Sequence, residues 1–326
     1  MIISRAPFRV SFCGGGSDVP SFYEKYGGCV LSTSIRKYVY LAINKAFNAN
    51  TITLKYSQTE VVTDPQDIQH RVFKQIFTDF GTKGVEVTSM ADIPAGTGLG
   101  SSSSFTVALL KLLYTYNEKA ASTYKIAKEA CEVEINKLGN PIGKQDQFAA
   151  AYGGLRFYEF FPDGFVKVEP VIMKHESYQK MQNNLLMFYT GLTHNANSIL
   201  KEESRILKSN REKIEATKKL CDMTRELKYS LEQNNVDALG ETLRRSWEIK
   251  RGLASGISNP LVDDLYQKAI ESGAIGGKLL GAGGGGFLLF YVPTEEAKAK
   301  VRKALYPYQE MPFELDQSGV SIIFMD

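Results

Sequence analysis

The sequence predicts an α+β chain of about two domains. The chain runs to 326 residues, more than a single small core organises. Strand-like and helix-like stretches interleave without the regular strand–helix–strand alternation of a parallel α/β sheet. The character also changes near residue 175, where a strand-rich half gives way to a long, charged helical region from Asn197 to Gly252. The expected division is therefore 1–175 and 176–326.

Each element has its own signal. "IISRAPFRVSF" is rich in β-formers but holds a turn-prone Ala-Pro, so it reads as a strand with a break. "CVLSTSIRKYVYLAINKAF" and "TITLKYS" read as further strands. In "PQDIQHRVFKQIFTDFG", Ile68, Val72, Phe73 and Ile76 recur at helical spacing, and Gly81 stops the helix. "VEVTSM" is a short alternating strand leading into "PAGTGLGSSSSF", residues 94–105. "FTVALLKLLYTYNE" is too apolar to be exposed and predicts a buried helix capped by the serines before it. "STYKIAKEACEVEINKLG" predicts a helix capped by Ser122 or Thr123, with Gly139 just past its end. "GKQDQFAAAYGG" leads into a strand, "LRFYEFF". After 175 come a strand in "NLLMFYTG", the helical region, and a helix in "SNPLVDDLYQKAIESG" with Ser258 or Asn259 as cap and Pro260 in the first turn. A glycine loop then runs into the strand "FLLFYV", and "SGVSIIFMD" is a terminal strand. There is no repeat, low-complexity tract or flexible linker.

Composition narrows the function. With 43% hydrophobic and 23% charged residues the class is soluble and globular. A net charge of +3 gives no reason to expect nucleic acid or an anionic membrane. No apolar run reaches the roughly 18 residues of a membrane span, and the first residues lack the pattern of a secretory leader, so the expectation is a cytoplasmic protein. Cys13, Cys29, Cys131 and Cys221 lie far apart and are expected as unpaired thiols. His70, His175 and His194 have no zinc-motif spacing.

Three glycine clusters, at 14–16, 96–100 and 281–286, call for explanation. A Walker A loop is excluded, because Leu279 follows Gly277-Lys278. Gly281, Gly283 and Gly286 fit G-x-G-x-x-G, but they open a strand where a dinucleotide fingerprint opens a helix. The Asp79–Gly81 "DFG" lacks the other kinase signatures and reads as a helix end. At 94–105, two readings stand side by side. One is a capped helix behind a tight turn. The other is a phosphate cradle, because a helix N-terminus carries about half a positive charge and up to four unpaired N–H groups, and a serine hydroxyl there can ligate Mg²⁺. Asp146, after a glycine turn, is either a helix cap or a carboxylate placed to take a proton from a hydroxyl. Alone, Glu134 reads as a solvated helix residue and Arg9 as a surface or salt-bridge arginine.

Taken together and in order, "RAPFRVSFCGGGSD" (5–18), "PAGTGLGSS" (94–102) and "KLLGAGGGGF" (278–287) resemble the three motifs of the GHMP small-molecule kinase superfamily. The resemblance spans nearly the whole chain. It implies a two-domain GHMP kinase fold, with an N-terminal domain like a ribosomal-protein S5 fold and a ferredoxin-like C-terminal domain. The first motif, followed by "GGCVLSTSIRKYVYL", is most similar to the sugar-1-kinases, and among them the D-glycero-D-manno-heptose 7-phosphate kinases. Fucokinase-type and galactokinase-type enzymes are the alternatives, and a non-catalytic sensor of ATP and sugar is a third.

The resemblance also implies roles. Pro94, Gly96, Gly98, Leu99, Gly100, Ser101, Ser102 and Ser103 would wrap the phosphates of ATP. Ser102 and Glu134 would hold Mg²⁺. Asp146 would be the catalytic carboxylate and Arg9 the basic residue beside the reacting oxygen. Gly15, Gly16, Ser17 and Asp18 would bind the sugar, with Gly281, Gly283 and Gly284 lining the site from the second domain. His194 stands where related sugar kinases often carry arginine and would grip the sugar or its phosphate. The implied partners are ATP, Mg²⁺ and a sugar phosphate, in a monomer or homodimer.

Overall fold

The computed structural model describes residues 1–192 and 196–326, with backbone only at 196–197. The first half is β1 (Ile2–Cys13), α1 (Pro20–Tyr26), β2 (Gly28–Lys45), β3 (Ile52–Lys55), β4 (Thr59–Val62), α2 (Arg71–Phe80), β5 (Val85–Ala91), α3 (Ser101–Tyr116), α4 (Thr123–Cys131), α5 (Gln145–Tyr152), β6 (Arg156–Phe160) and β7 (Val166–Pro170). The second is α6 (His175–Asn183), β8 (Leu185–Tyr189), α7 (Ala196–Ile206), α8 (Arg211–Glu232), α9 (Ala238–Lys250), α10 (Pro260–Glu271), β9 (Gly276–Leu279), β10 (Phe287–Tyr291), α11 (Glu295–Ala304), β11 (Leu315–Asp316) and β12 (Ser321–Met325).

The architecture is α+β. Among the described residues a nine-stranded sheet runs β12-β1-β2-β5-β3-β4, with β11 and β6 also on β2 and β7 on β6; a separate antiparallel sheet runs β8-β10-β9. The break expected at Ala6-Pro7 is a register shift between Pro7 and Phe8 inside one continuous strand, the kind of irregularity at which a strand accommodates a proline that has no N–H to donate. The chain also closes on itself. β12 pairs antiparallel with β1 and β11 with β2, so the final strands belong to the sheet that the first half builds.

Helix α3 carries buried residues on every side, including Val107, Leu109, Leu110, Leu112 and Leu113, and it lies against β1 and β2. Burial all round is what its continuous apolar sequence dictates. The N-cap is Gly100, in the left-handed region at φ 79°, and it makes no side-chain cap. That corrects the expectation of a serine cap: the serines are already inside the first turn. α4 passes without interruption into a π-helical turn, Glu132–Lys137. A π turn adds a residue to the helical repeat and re-aims the side chains that follow; here it holds Glu134. Ser122 and Asn259 cap α4 and α10 through their side chains, and Gly81 closes α2 in the left-handed region. All four cysteines are free and buried. Among the described residues, no helix is long and apolar enough to cross a membrane.

Candidate active site

A cleft of about 380 Å³ opens where β1, the start of α3, the turn before α5, the α7 and α9 helices and the β9–β10 loop converge. β1 delivers Arg9, whose guanidinium is buried. Its Nε and Nη2 donate to the two carboxylate oxygens of Asp146 at 2.7 and 2.8 Å, and Nη1 donates to the Gly98 carbonyl at 2.6 Å. The paired fork is the strongest geometry available to arginine and a carboxylate. It fixes Asp146 against the glycine loop across 137 residues of chain. Each carboxylate oxygen keeps a second lone-pair direction for a substrate hydroxyl.

Glu134 sits beneath the first turn of α3 and is fully buried. Ser102 Oγ donates to its Oε1 at 2.6 Å, while Ser103 Oγ and Gln147 Nε2 donate to Oε2, each at 2.7 Å. Burial pushes the Glu134 carboxyl up from its ordinary value; the three hydrogen bonds pull it down and the Asp146 charge adds to the rise. Ser102 lines the cleft, and the fully buried Glu134 carboxylate lies directly behind its hydroxyl, outside the cleft lining. Hard oxygen donors of this kind suit Mg²⁺, which takes one or two protein ligands and completes its shell with water and substrate phosphates. The pair therefore fits that ion.

Two glycine loops meet backbone to backbone at the rim. Gly98 has φ +84° and Gly281 φ +79°; a Cβ on Gly98 would overlap the Leu280 carbonyl, and one on Gly281 would overlap Gly98 itself. These glycines let the second sheet's loop close on the α3 loop. Gly98→Ala should cost about 1–2 kcal/mol from the left-handed conformation alone, and more from the opened loop contact. Denaturant unfolding at unchanged m-value would show it; wild-type stability would mean that the contact is absent.

Most of the sequence-predicted residues converge here. Arg9, Gly15, Gly16, Asp18, Gly96, Gly98, Gly100, Ser101, Ser102, Ser103, Asp146, Gly281 and Gly283 line the cleft. Asp18 is pinned by the N–H groups of Gly16 and Gln145 at 3.0 and 3.1 Å. Burial raises its carboxyl from the ordinary range, and the Asp146 charge raises it further.

The remainder sit elsewhere. Ser17 is fully buried, with its hydroxyl donating to the Gly14 and Cys29 carbonyls and accepting from the Cys29 N–H. It shapes the turn and does not line the cleft, its hydroxyl being turned to the backbone at Gly14 and Cys29. Leu99 is buried and acts through its carbonyl, which accepts from the Arg9 N–H at 3.1 Å. Pro94 is exposed outside the cleft, its carbonyl accepting from Thr97 Oγ1. Gly284 is tied to Ile257 and Asn259. His194 lies outside the described residues.

Sequence reasoning gave no role to three charged residues of the cleft wall: Glu203 on α7, Lys250 at the end of α9 and Lys278 on β9. Read singly, each looks like a surface charge. Four other cations of the first unit stay out of the cleft. Lys144 donates to the Gly164 carbonyl and lies over the Tyr23 ring, Arg156 donates to the Gly153 carbonyl, and Lys174 is exposed. Neither these nor Lys37 lines the cleft.

Comparison with known proteins shows the family. The model of the GHMP kinases N terminal domain matches residues 67–154, and that of the GHMP kinases C terminal domain residues 227–308. The chain is 31% identical to a D-glycero-alpha-D-manno-heptose 7-phosphate kinase of Campylobacter jejuni, over 98% of both chains. It is 27% identical to the bifunctional fucokinase/GDP-fucose pyrophosphorylase of Arabidopsis thaliana, over 97% of this chain and 32% of that protein. Its fold is similar to the crystal structure of a D-glycero-D-manno-heptose 1-phosphate kinase from Bacteroides thetaiotaomicron, at TM-score 0.82, 26% identity and full coverage of both chains.

Proposed function

Because this chain belongs to the GHMP kinases and is a sugar-phosphate kinase, we propose that it transfers the γ-phosphoryl group of ATP to the anomeric C1 hydroxyl of D-glycero-D-manno-heptose 7-phosphate, giving the 1,7-bisphosphate. The observation that carries the chemistry is the Arg9–Asp146 fork at the cleft, set against the Gly98 carbonyl and beside the first turn of α3. The full-length similarity to a heptose 7-phosphate kinase supports the acceptor.

Phosphoryl transfer needs mainly positioning and charge neutralisation. In this reading Asp146 orients the sugar hydroxyl and takes its proton. Arg9 holds the carboxylate in place and offsets charge on the transferring group. The unpaired N–H groups at the start of α3, over Ser101 to Ser103, cradle the ATP phosphates. Ser102 and Glu134 would hold Mg²⁺, which would supply neutralisation of phosphate charge. Asp18, with the Gly15–Gly16 backbone, receives sugar hydroxyls. The unit 1–175 supplies the nucleotide side, and the unit 176–326, whose last strands return to the first sheet, closes the acceptor side.

A fucokinase-type acceptor is the second reading, favoured by the similarity over 97% of this chain. ADP release measured against heptose 7-phosphate, heptose 1-phosphate, fucose and galactose separates the two. We expect kcat/KM for heptose 7-phosphate to exceed the others at least about tenfold, a difference of roughly 1.4 kcal/mol in transition-state binding. Better use of fucose or galactose would overturn the acceptor assignment.

A further inference from the structure

Of the three cations that line the cleft, two are matched by a carboxylate and one is not. Arg9 is paired with Asp146, and Lys250 with Glu203. Lys278 is 8% exposed and has no ion pair among the described residues; its Nζ makes one long contact, 3.4 Å to the Phe12 carbonyl. An ammonium carries three donors, and burying one without a counter-charge is costly. The titratable groups around it are the cations Lys250 and Arg9 and the Cys13 thiol, which burial keeps protonated; burial holds the lysine's pKa down to about 8.

Its position relative to the reacting end follows from β1. Arg9 marks that end and Phe12, three residues on, marks Lys278. At roughly 3.3 Å per residue the two lie about 10 Å apart along the strand, a distance on the scale of a seven-carbon sugar phosphate. Between them Ser11 lines the cleft with a buried hydroxyl that has no partner, and the free Oε2 of Glu203 is likewise unpartnered. The Glu203–Lys250 pair stands against Gly16, where a Cβ would crowd both side chains.

We propose that Lys278, with Lys250 beside it, forms the subsite for the acceptor's non-reacting phosphate and so sets the preference for a phosphorylated sugar. This rests on the reading that Asp146 receives the C1 hydroxyl. A lysine serves a phosphate as a point charge, and here the phosphate supplies the counter-charge that the fold leaves out.

The test compares kcat/KM for D-glycero-D-manno-heptose 7-phosphate with that for the same heptose lacking the phosphate, in wild type and in Lys278→Met. Methionine keeps the length and removes an uncompensated buried charge, so the variant should fold; Lys278→Gln reads the same ratio with a shorter neutral side chain. The preference for the phosphorylated sugar should fall roughly 30- to 100-fold, carried by KM, as expected for loss of charge-assisted hydrogen bonds. Lys278→Arg should keep more of it. An unchanged preference in both neutral variants would remove the subsite and leave the acceptor reading standing. An equal loss on both sugars would assign Lys278 to the transferring group instead and overturn the proposal. Wild type that ignores the phosphate would remove the acceptor reading and the subsite together.

Discussion

Asp146→Asn should lower kcat by about 10²–10⁴-fold, the range a positioned proton acceptor contributes, while ATP still binds within a few-fold of wild type. Asparagine keeps the shape and one acceptor oxygen but turns an amide NH₂ towards Arg9, which can only donate. One of the two bonds at 2.7 and 2.8 Å is therefore lost, and a guanidinium N–H in a side chain only 5% exposed is left facing another donor. A stability loss of about 1–3 kcal/mol should accompany the kinetic effect. Single-turnover rates with saturating ATP, beside calorimetric ATP binding, separate the two consequences. Near-wild-type turnover would remove Asp146 from its assigned role. Loss of ATP binding equal to the loss of rate would make the residue a structural strut of the glycine loop.

What the sequence reveals of this molecule follows the range of the physics involved. Caps and stops are local, so Ser122, Asn259 and Gly81 were legible and sit where expected. The α3 helix was legible because a continuous apolar run has to be buried. Thr294 ahead of Glu295 and Glu296 was an available cap signal for α11, as was Pro20 for α1. By contrast, α6 begins without a side-chain cap, and β4 and β7 end the sheet with few buried residues, so little apolar pattern marks them. The return of β12 to β1 joins the two ends of the chain and has no local trace. The site divides in the same way. The serine-glycine turn announced itself, whereas Arg9 and Asp146 were connected only through the likeness to a kinase family. Glu203, Lys250 and Lys278 come from three elements and meet only in the fold. Ser17 shows the converse: the motif marks it, yet the turn it belongs to consumes its hydroxyl internally.

Glu134→Gln should separate stability from function. Its Oε2 accepts from Ser103 and Gln147, which the amide oxygen of glutamine can continue to do. Its Oε1 meets only the Ser102 hydroxyl, which can reverse and accept from an amide N–H. The hydrogen bonds therefore survive the substitution. The charge does not, and the charge is what burial opposes: the Glu134 pKa in the fold is raised above that of the unfolded chain. A group shifted in this sense contributes stability below its unfolded pKa and loses it as pH rises through the folded value. As pH rises above the unfolded value the carboxylate thus weighs increasingly against the metal-free fold, and the glutamine variant should there be as stable as wild type or more so. A bound cation reverses the balance by favouring the ionised form. Wild type should consequently gain thermal stability from Mg²⁺ with ATP, by an increment that grows with concentration, and the variant should gain less. Turnover at saturating ATP should fall about 10²–10³-fold, the scale for removing one electrostatic stabiliser of the transition state, and half-saturation in Mg²⁺ should move upwards. Melting curves with and without Mg²⁺ read the first effect independently of activity. A variant that is destabilised without metal, or that keeps the wild-type Mg²⁺ dependence, would show that Glu134 is held for structure and that the ion is carried by other groups.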